Sequence, residues 1–213
     1  EEAAFRNTKG LTSVTIGSTI TSIGGSAFSN CEITSLTLEA LPTTIGTTAF
    51  YEANVTNLTV AFDVTSNNYS TFESFISGSS SSRNGICNLQ TIVFNGYAYL
   101  KDSTSNTGPT SSDSNTEALF YSSNSTLTSI SFNKGAHVGT YQLVGFSKLE
   151  SITFGAPDDG NESEIEMYAI GGYSNKFSNY SITTVDLTGV TSIASDGFNN
   201  CSYLKTAELP ASL

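Results

Sequence analysis

Two carboxylates, Asp186 and Glu208, occupy matching places in two copies of a six-residue pattern, one opening at Ile182 and the other at Leu204. Side by side on parallel strands they would stand about 5 Å apart, near the separation of acid and nucleophile in a retaining glycosidase. No sugar-binding pattern flanks them, and carboxylates on an open sheet face stay hydrated. A solvated pair or a weak cation contact is therefore expected in place of glycan-active catalysis. A denser acidic run is APDDGNESEIEM, Ala156 to Met167. Asp158, Asp159 and Glu162, grouped around a glycine turn, could offer oxygens to Ca²⁺. The run departs from EF-hand spacing, so the expectation is a solvated loop with no resident metal. The single histidine, His137, has no acid or nucleophile beside it in sequence, and no GxSxG elbow supports a hydrolytic triad. Cys31, Cys87 and Cys201 form no CxxC pair, which with one histidine argues against a zinc set. The chain reads as non-enzymatic and free of cofactors.

Chemistry of recognition is better represented. Most tyrosines fall in the middle of the chain, and Tyr97, Tyr99, Tyr121, Tyr141, Tyr168 and Tyr173 are the candidate ligand contacts. Tyrosine offers a large amphipathic surface at little entropic cost; the alternative is that some of these rings fill core positions. The net charge is −11, from 8 Lys and Arg against 19 Asp and Glu, so the chain cannot supply the basic stripe that nucleic acid or anionic membrane requires. No apolar run is long enough to span a bilayer. With 38% hydrophobic and only 13% charged residues, wholesale disorder is excluded as well. The Asn-x-Ser/Thr sequons are no more frequent than a chain so rich in Ser and Thr would contain by chance, and they carry no inference.

The elements that must hold these residues are set by a repeat. LTSVTI (Leu11–Ile16) recurs as ITSLTL, VTNLTV, LQTIVF, LTSISF, LESITF, ITTVDL and LKTAEL, the last ending at Leu209. The copies open at Leu11, Ile33, Val55, Leu89, Leu127, Leu149, Ile182 and Leu204. Four of the seven intervals are identical and three are lengthened by insertions, so the base period is about 22 residues, a length that marks stacked repeat architectures. Positions one, four and six are apolar in every copy, and the last four residues alternate like a strand with one buried face. A unit this short cannot bury that face alone, whereas stacked copies can. A parallel solenoid follows. Its outward strand positions form a lawn of small hydroxyls, broken at Val93 and Asp186, which keeps the surface soluble. The insertions cover about 61–88, 95–126 and 155–181 and include Ser-rich pieces that cannot build a core. Deleting Asn95 to Thr126 is expected to weaken ligand capture while leaving the thermal transition nearly unchanged.

A second pattern follows the hexads: Ile20, Ile23, Gly24, Ala27, Phe28, then Ser29, Asn30 and Cys31. Leu41, Ile45, Gly46, Ala49 and Phe50 repeat it, as do Val190, Ile193 and Phe198 with Asn199, Asn200 and Cys201. Cys31 and Cys201 stand where the second unit has Ala53, which marks a small buried slot holding an inert thiol. In these residues the chain resembles the BspA-type leucine-rich repeats. That resemblance implies an α/β right-handed leucine-rich-repeat solenoid over 1–213, with a parallel β-sheet on the concave face and short strands or helical turns on the convex face. It also implies an extracellular or cell-surface protein that adheres to a protein or glycan of a host or neighbouring cell. The expected mode of binding uses the concave sheet and the insertions. A structural spacer within a larger surface protein is the alternative. Residues 4–7 match 27–30 and Leu213 aligns with Ile20, so the chain is expected to begin and end mid-repeat, as a monomer or part of a longer array.

Overall fold

The structure is a computed structural model, and it describes residues 1–77, 86, 88–103, 119–120, 123–157, 160–172, 179, 181–211 and 213. The hexads form one eight-stranded sheet. Its strands are β1 (Ser13–Ile16), β3 (Ser35–Leu38), β5 (Asn57–Val60), β6 (Thr91–Phe94), β8 (Ser129–Phe132), β10 (Ser151–Phe154), β12 (Thr184–Asp186) and β14 (Thr206–Glu208), in that spatial order. Every pairing is parallel and in register, so that Val14, Leu36, Leu58, Ile92 and Ile130 make one continuous row. A second layer carries two smaller parallel sheets. Strands β2 (Ser22–Ile23) and β4 (Thr44–Ile45) pair with each other, while β7 (Ala98–Leu100), β9 (Ala136–Val138), β11 (Glu164–Ile165) and β13 (Ser192–Ile193) form a four-stranded sheet. These are the stacked sheets of a leucine-rich-repeat solenoid.

The core lies between the layers. Each residue at hexad positions one, four and six from Ile33 to Leu187 is buried, at a gain of about 1.5–3 kcal/mol per fully buried side chain before ordering entropy. Val14, Leu11 and Leu204 are partly covered, and Leu209 is exposed at the far end. The second-layer strands point Ala98, Leu100, Ala136, Val138 and Ile165 into the same core. Aromatic rings line up along the coil: Phe5 stacks on Phe28 and Phe28 on Phe50, and Phe50 meets Phe75 at a 57° tilt, with centroids 5.0–5.2 Å apart. Phe94, Phe132 and Phe154 make a second ladder beneath the main sheet, at 5.3 and 5.0 Å.

Between strand pairs the chain turns through two left-handed residues four apart. The pairs are Ala3 and Asn7, Ser26 and Asn30, Thr48 and Glu52, and Asp196 and Asn200, with φ between 52° and 62°. Asparagine is the side chain that enters this region most readily, which is why three of the second positions carry it. The same turn brings backbones into contact: a Cβ on Gly46 would lie 2.2 Å from the Gly25 nitrogen, so glycine is required after Ile45. Residues 3–7 already form such a turn, their amides bonding to the carbonyls of Gly25, Ala27 and Ser29.

The insertions depart from the sequence reading. Helix α1 (Tyr69–Ser77) buries Phe72, Phe75 and Ile76, and Phe75 takes the ladder place that the Ala-Phe motif fills in earlier units. Leu100, Leu119 and Phe120 are also buried, and β7 is the edge of the four-stranded sheet. Asn95–Thr126 thus contributes to the framework, and its deletion would expose core on both sides. The expectation of a thermally silent deletion fails for this reason. Only the hexad repeat is legible in that part of the sequence, and the inward alternation of Ala98 and Leu100 is not.

Candidate functional site

The outward positions of the second layer form a column of equivalent residues. In the first units it reads Ser22 and Thr44, which pair in β2 and β4. In the four-stranded sheet it reads Tyr99, His137, Glu164 and Ser192, each in register with the next. The residue that follows each of these stays aliphatic (Ile23, Ile45, Leu100, Val138, Ile165 and Ile193), whereas the one before it varies and includes the buried Ser163.

These side chains are mutually positioned. The Tyr99 and His137 rings stack with centroids 5.0 Å apart and planes 13° from parallel, and Tyr69 packs its edge against Tyr99 at 5.9 Å. His137 Nδ1 lies 3.3 Å from Glu164 Oε2. Two positions further along, the Glu166 amide donates to the Val138 carbonyl at 3.0 Å, which keeps Glu166 on the same side as Glu164 by strand alternation. Tyr97 begins the segment, its amide donating to the Asp63 carboxylate at 2.8 Å. Burial first, and then the charge of Glu164, pushes the Tyr97 phenol above its ordinary value. It is therefore a neutral donor throughout the physiological range.

Four positions beyond His137 and Glu164 stand Tyr141 and Tyr168. Their backbones are linked by a Tyr141 amide to Tyr168 carbonyl bond of 3.3 Å, and their rings stack at 5.7 Å and 7°. Both are left-handed, with φ 59° and 54°, at the turn position held by Ser26, Thr48 and Asp196 elsewhere. The repeat imposes that conformation, and among the described residues large aromatic rings occupy it only in these two central units. Below them the buried Asn179 joins successive turns: its Oδ1 accepts from the Phe146 amide at 2.8 Å, and its Nδ2 donates to the carbonyls of Leu143 and Ile170. Asn179 is a sequon residue, and its burial removes it as a glycosylation acceptor in the folded chain.

Of the tyrosines singled out from sequence, Tyr97, Tyr99, Tyr141 and Tyr168 therefore converge on the second-layer strands, while Tyr121 and Tyr173 lie outside the described residues. Asp158 and Asp159 also lie outside them, and Glu162 is exposed at the foot of β11. His137, Glu164 and Glu166 do not stand out as a group in the sequence. The signal is present: GAHVG (135–139) and SEIEM (163–167) share the alternation of a half-buried strand. The insertion between them hides the register.

The other candidates are simpler. Asp186 and Glu208 do pair in register on β12 and β14, but Asp186 accepts from the Thr188 amide at 3.0 Å in a local turn, and Glu208 is exposed. Cys31 is buried and donates its thiol to the Phe5 carbonyl at 3.0 Å. Ala53, its counterpart, is buried as well. Cys201, a free thiol in the same slot of a later unit, is partly buried, which pushes it up to about 11 and makes it a poor nucleophile at neutral pH.

Stacked parallel sheets, a short recurring unit and a variable outer column define a leucine-rich-repeat module. The particular family is equally plain: the BspA type leucine rich repeat region matches in six copies over residues 1–104 and 170–213, and the chain belongs to that family. No curated protein and no solved structure matches the chain. The stretch between the matched segments contains β9, β11, Tyr141 and Tyr168, so the site lies largely where the repeat consensus has been abandoned.

Proposed function

We propose that this chain is a non-enzymatic cell-surface recognition module that binds a protein or glycan of a host or neighbouring cell. Its contact surface is the outer column of the second layer with the stacked tyrosines that follow, chiefly Tyr97, Tyr99, Tyr141 and Tyr168. One observation carries this reading: a position held by Ser22 and Thr44 in the regular units becomes Tyr99, His137 and Glu164 in the central ones, while the residue that follows it stays aliphatic (Ile23, Ile45, Leu100, Val138 and Ile165). Stacked aromatic rings add a modest amount to the stability of a framework, and where they stay partly exposed they also give a binding face amphipathic area on a rigid support. Affinity would be gathered over several weak contacts on preorganised strands. Of the expected contact surface, the concave sheet and the insertions, this reading keeps the insertion-borne Tyr97, Tyr99 and Tyr168 and sets aside the main sheet, whose outward residues are mostly Ser and Thr.

A structural spacer is favoured by that same hydroxyl-rich main sheet. Glycan and matrix-protein arrays probed with the intact chain and with a Tyr141→Ala/Tyr168→Ala variant separate the two. A recognition module shows a defined set of ligands and loses at least about tenfold in affinity in the variant, in line with the loss of two aromatic anchors. Ligands retained in full by the variant reject this surface, and an array without signal supports the spacer.

A further inference from the structure

His137, Glu164 and Glu166 each present one ligand atom, and the three atoms lie within 4.8 Å of one another. They are partly buried; His137 and Glu164 project from neighbouring strands paired in register, and Glu166 follows directly after the second strand, its amide held by the Val138 carbonyl. We propose that they form a binding site for a divalent first-row transition ion, with zinc as the reference case.

The chemistry selects the ion class. Ca²⁺ and Mg²⁺ prefer all-oxygen shells, whereas an imidazole with two carboxylates suits Zn²⁺ and its first-row neighbours. The geometry is close to that needed. With bonds of about 2.1 Å, two ligand atoms of a tetrahedral site stand about 3.4 Å apart, and His137 Nδ1 and Glu164 Oε2 are already at 3.3 Å. The remaining closure falls to Glu166, whose long side chain can supply it by a change of rotamer. Stacking on Tyr99 fixes the His137 ring plane, the orienting role that outer contacts commonly play around a metal ligand. A simple His137–Glu164 hydrogen bond would leave Glu166 without a part in the cluster. Three protein ligands leave at least one coordination position for water or an oxygen of a partner. The site differs from the sequence-derived calcium candidate in both ligands and ion, and it does not depend on the identity of any partner.

The test is calorimetric titration of the untagged intact chain with zinc chloride, repeated with calcium chloride, and cobalt(II) spectroscopy. Expected are one saturable zinc site per chain, no calcium site of comparable affinity, and a cobalt spectrum without a thiolate charge-transfer band. His137→Ala should weaken zinc binding by at least about tenfold and Glu166→Gln by roughly tenfold, since loss even of an outer contact to a metal ligand costs about 10–100-fold in affinity. Glu162→Gln, outside the cluster, should stay within about twofold of the parent. The absence of saturable zinc binding, equal affinity in Glu166→Gln, or a thiolate band overturns the proposal. Because Glu166→Gln keeps shape and fold, it decides the matter even if His137→Ala alters stability.

Discussion

The regular units, residues 11–60, and the central units, residues 89–170, solve the same packing problem with different freedoms. In the first, strands recur at a constant interval, phenylalanines stack in single file, and the outer column is Ser22 and Thr44. In the second, insertions lengthen the period, yet β6, β8 and β10 keep the same register and their own phenylalanine ladder. The sixth hexad position differs in size, from Ile16, Leu38 and Val60 to Phe94, Phe132 and Phe154, but the change of chemical character falls on the outer column and the turn after it, where Tyr99, His137, Glu164, Tyr141 and Tyr168 gather. Inward positions answer to neighbours above and below in the stack, so they change in size but stay apolar. Outward positions answer only to solvent and partners, so they can be rewritten unit by unit without weakening the coil.

This contrast can be broken most directly at the ladders. Phe28→Ala in the regular units and Phe132→Ala in the central ones should each cost about 3–5 kcal/mol, read from denaturant unfolding, because both remove a buried rung. A cost below about 1 kcal/mol at either position would show that its ring is not a packed rung of its ladder. Asn179→Ala should cost somewhat less, about 2–4 kcal/mol, by leaving the Phe146 amide and two carbonyls without their side-chain partner. Hydrogen exchange should quicken at Phe146 while amides of Phe28 and Asn30 keep their protection. Uniform loss of protection along the coil would contradict the independence of the two regions.

The smallest effect is confined to alkaline solution. Below pH 9 the Cys201 thiol is protonated in both folded and unfolded chains, and its contribution is intact. As pH rises from 9 towards 11 the unfolded chain ionises first, so stability falls through that interval, by on the order of 2 kcal/mol once the solvent-facing part of the thiol is discounted. Cys201→Ala, which places in the slot the residue that Ala53 supplies elsewhere, should flatten that part of the pH–stability curve. An unchanged slope would show that the thiol is more hydrated than its surroundings imply.

The repeat is readable because it imposes one chemical demand eight times over. Positions such as Leu36, Leu58 and Ile130 must be apolar to fit between identical neighbours, and that demand survives insertion of any length between units. Tyr97, Tyr99, Tyr141 and Tyr168 are legible as candidates by residue type alone. Their grouping is not, because Tyr99 meets His137, and His137 meets Glu164, only through a register that the insertions displace by unequal amounts. Helix α1 escapes notice for a similar reason: Phe72, Phe75 and Ile76 follow helical spacing, but within a segment marked as an excursion by its Ser-rich end.

The amino-acid sequence by itself determined the stacked parallel coil, its period and the inward face of every main strand, since hydrophobic spacing along the chain is a local property. Which outward side chains meet was decided only in three dimensions. A column across a sheet joins residues from different turns, and its membership depends on how long each loop is before it returns to the stack.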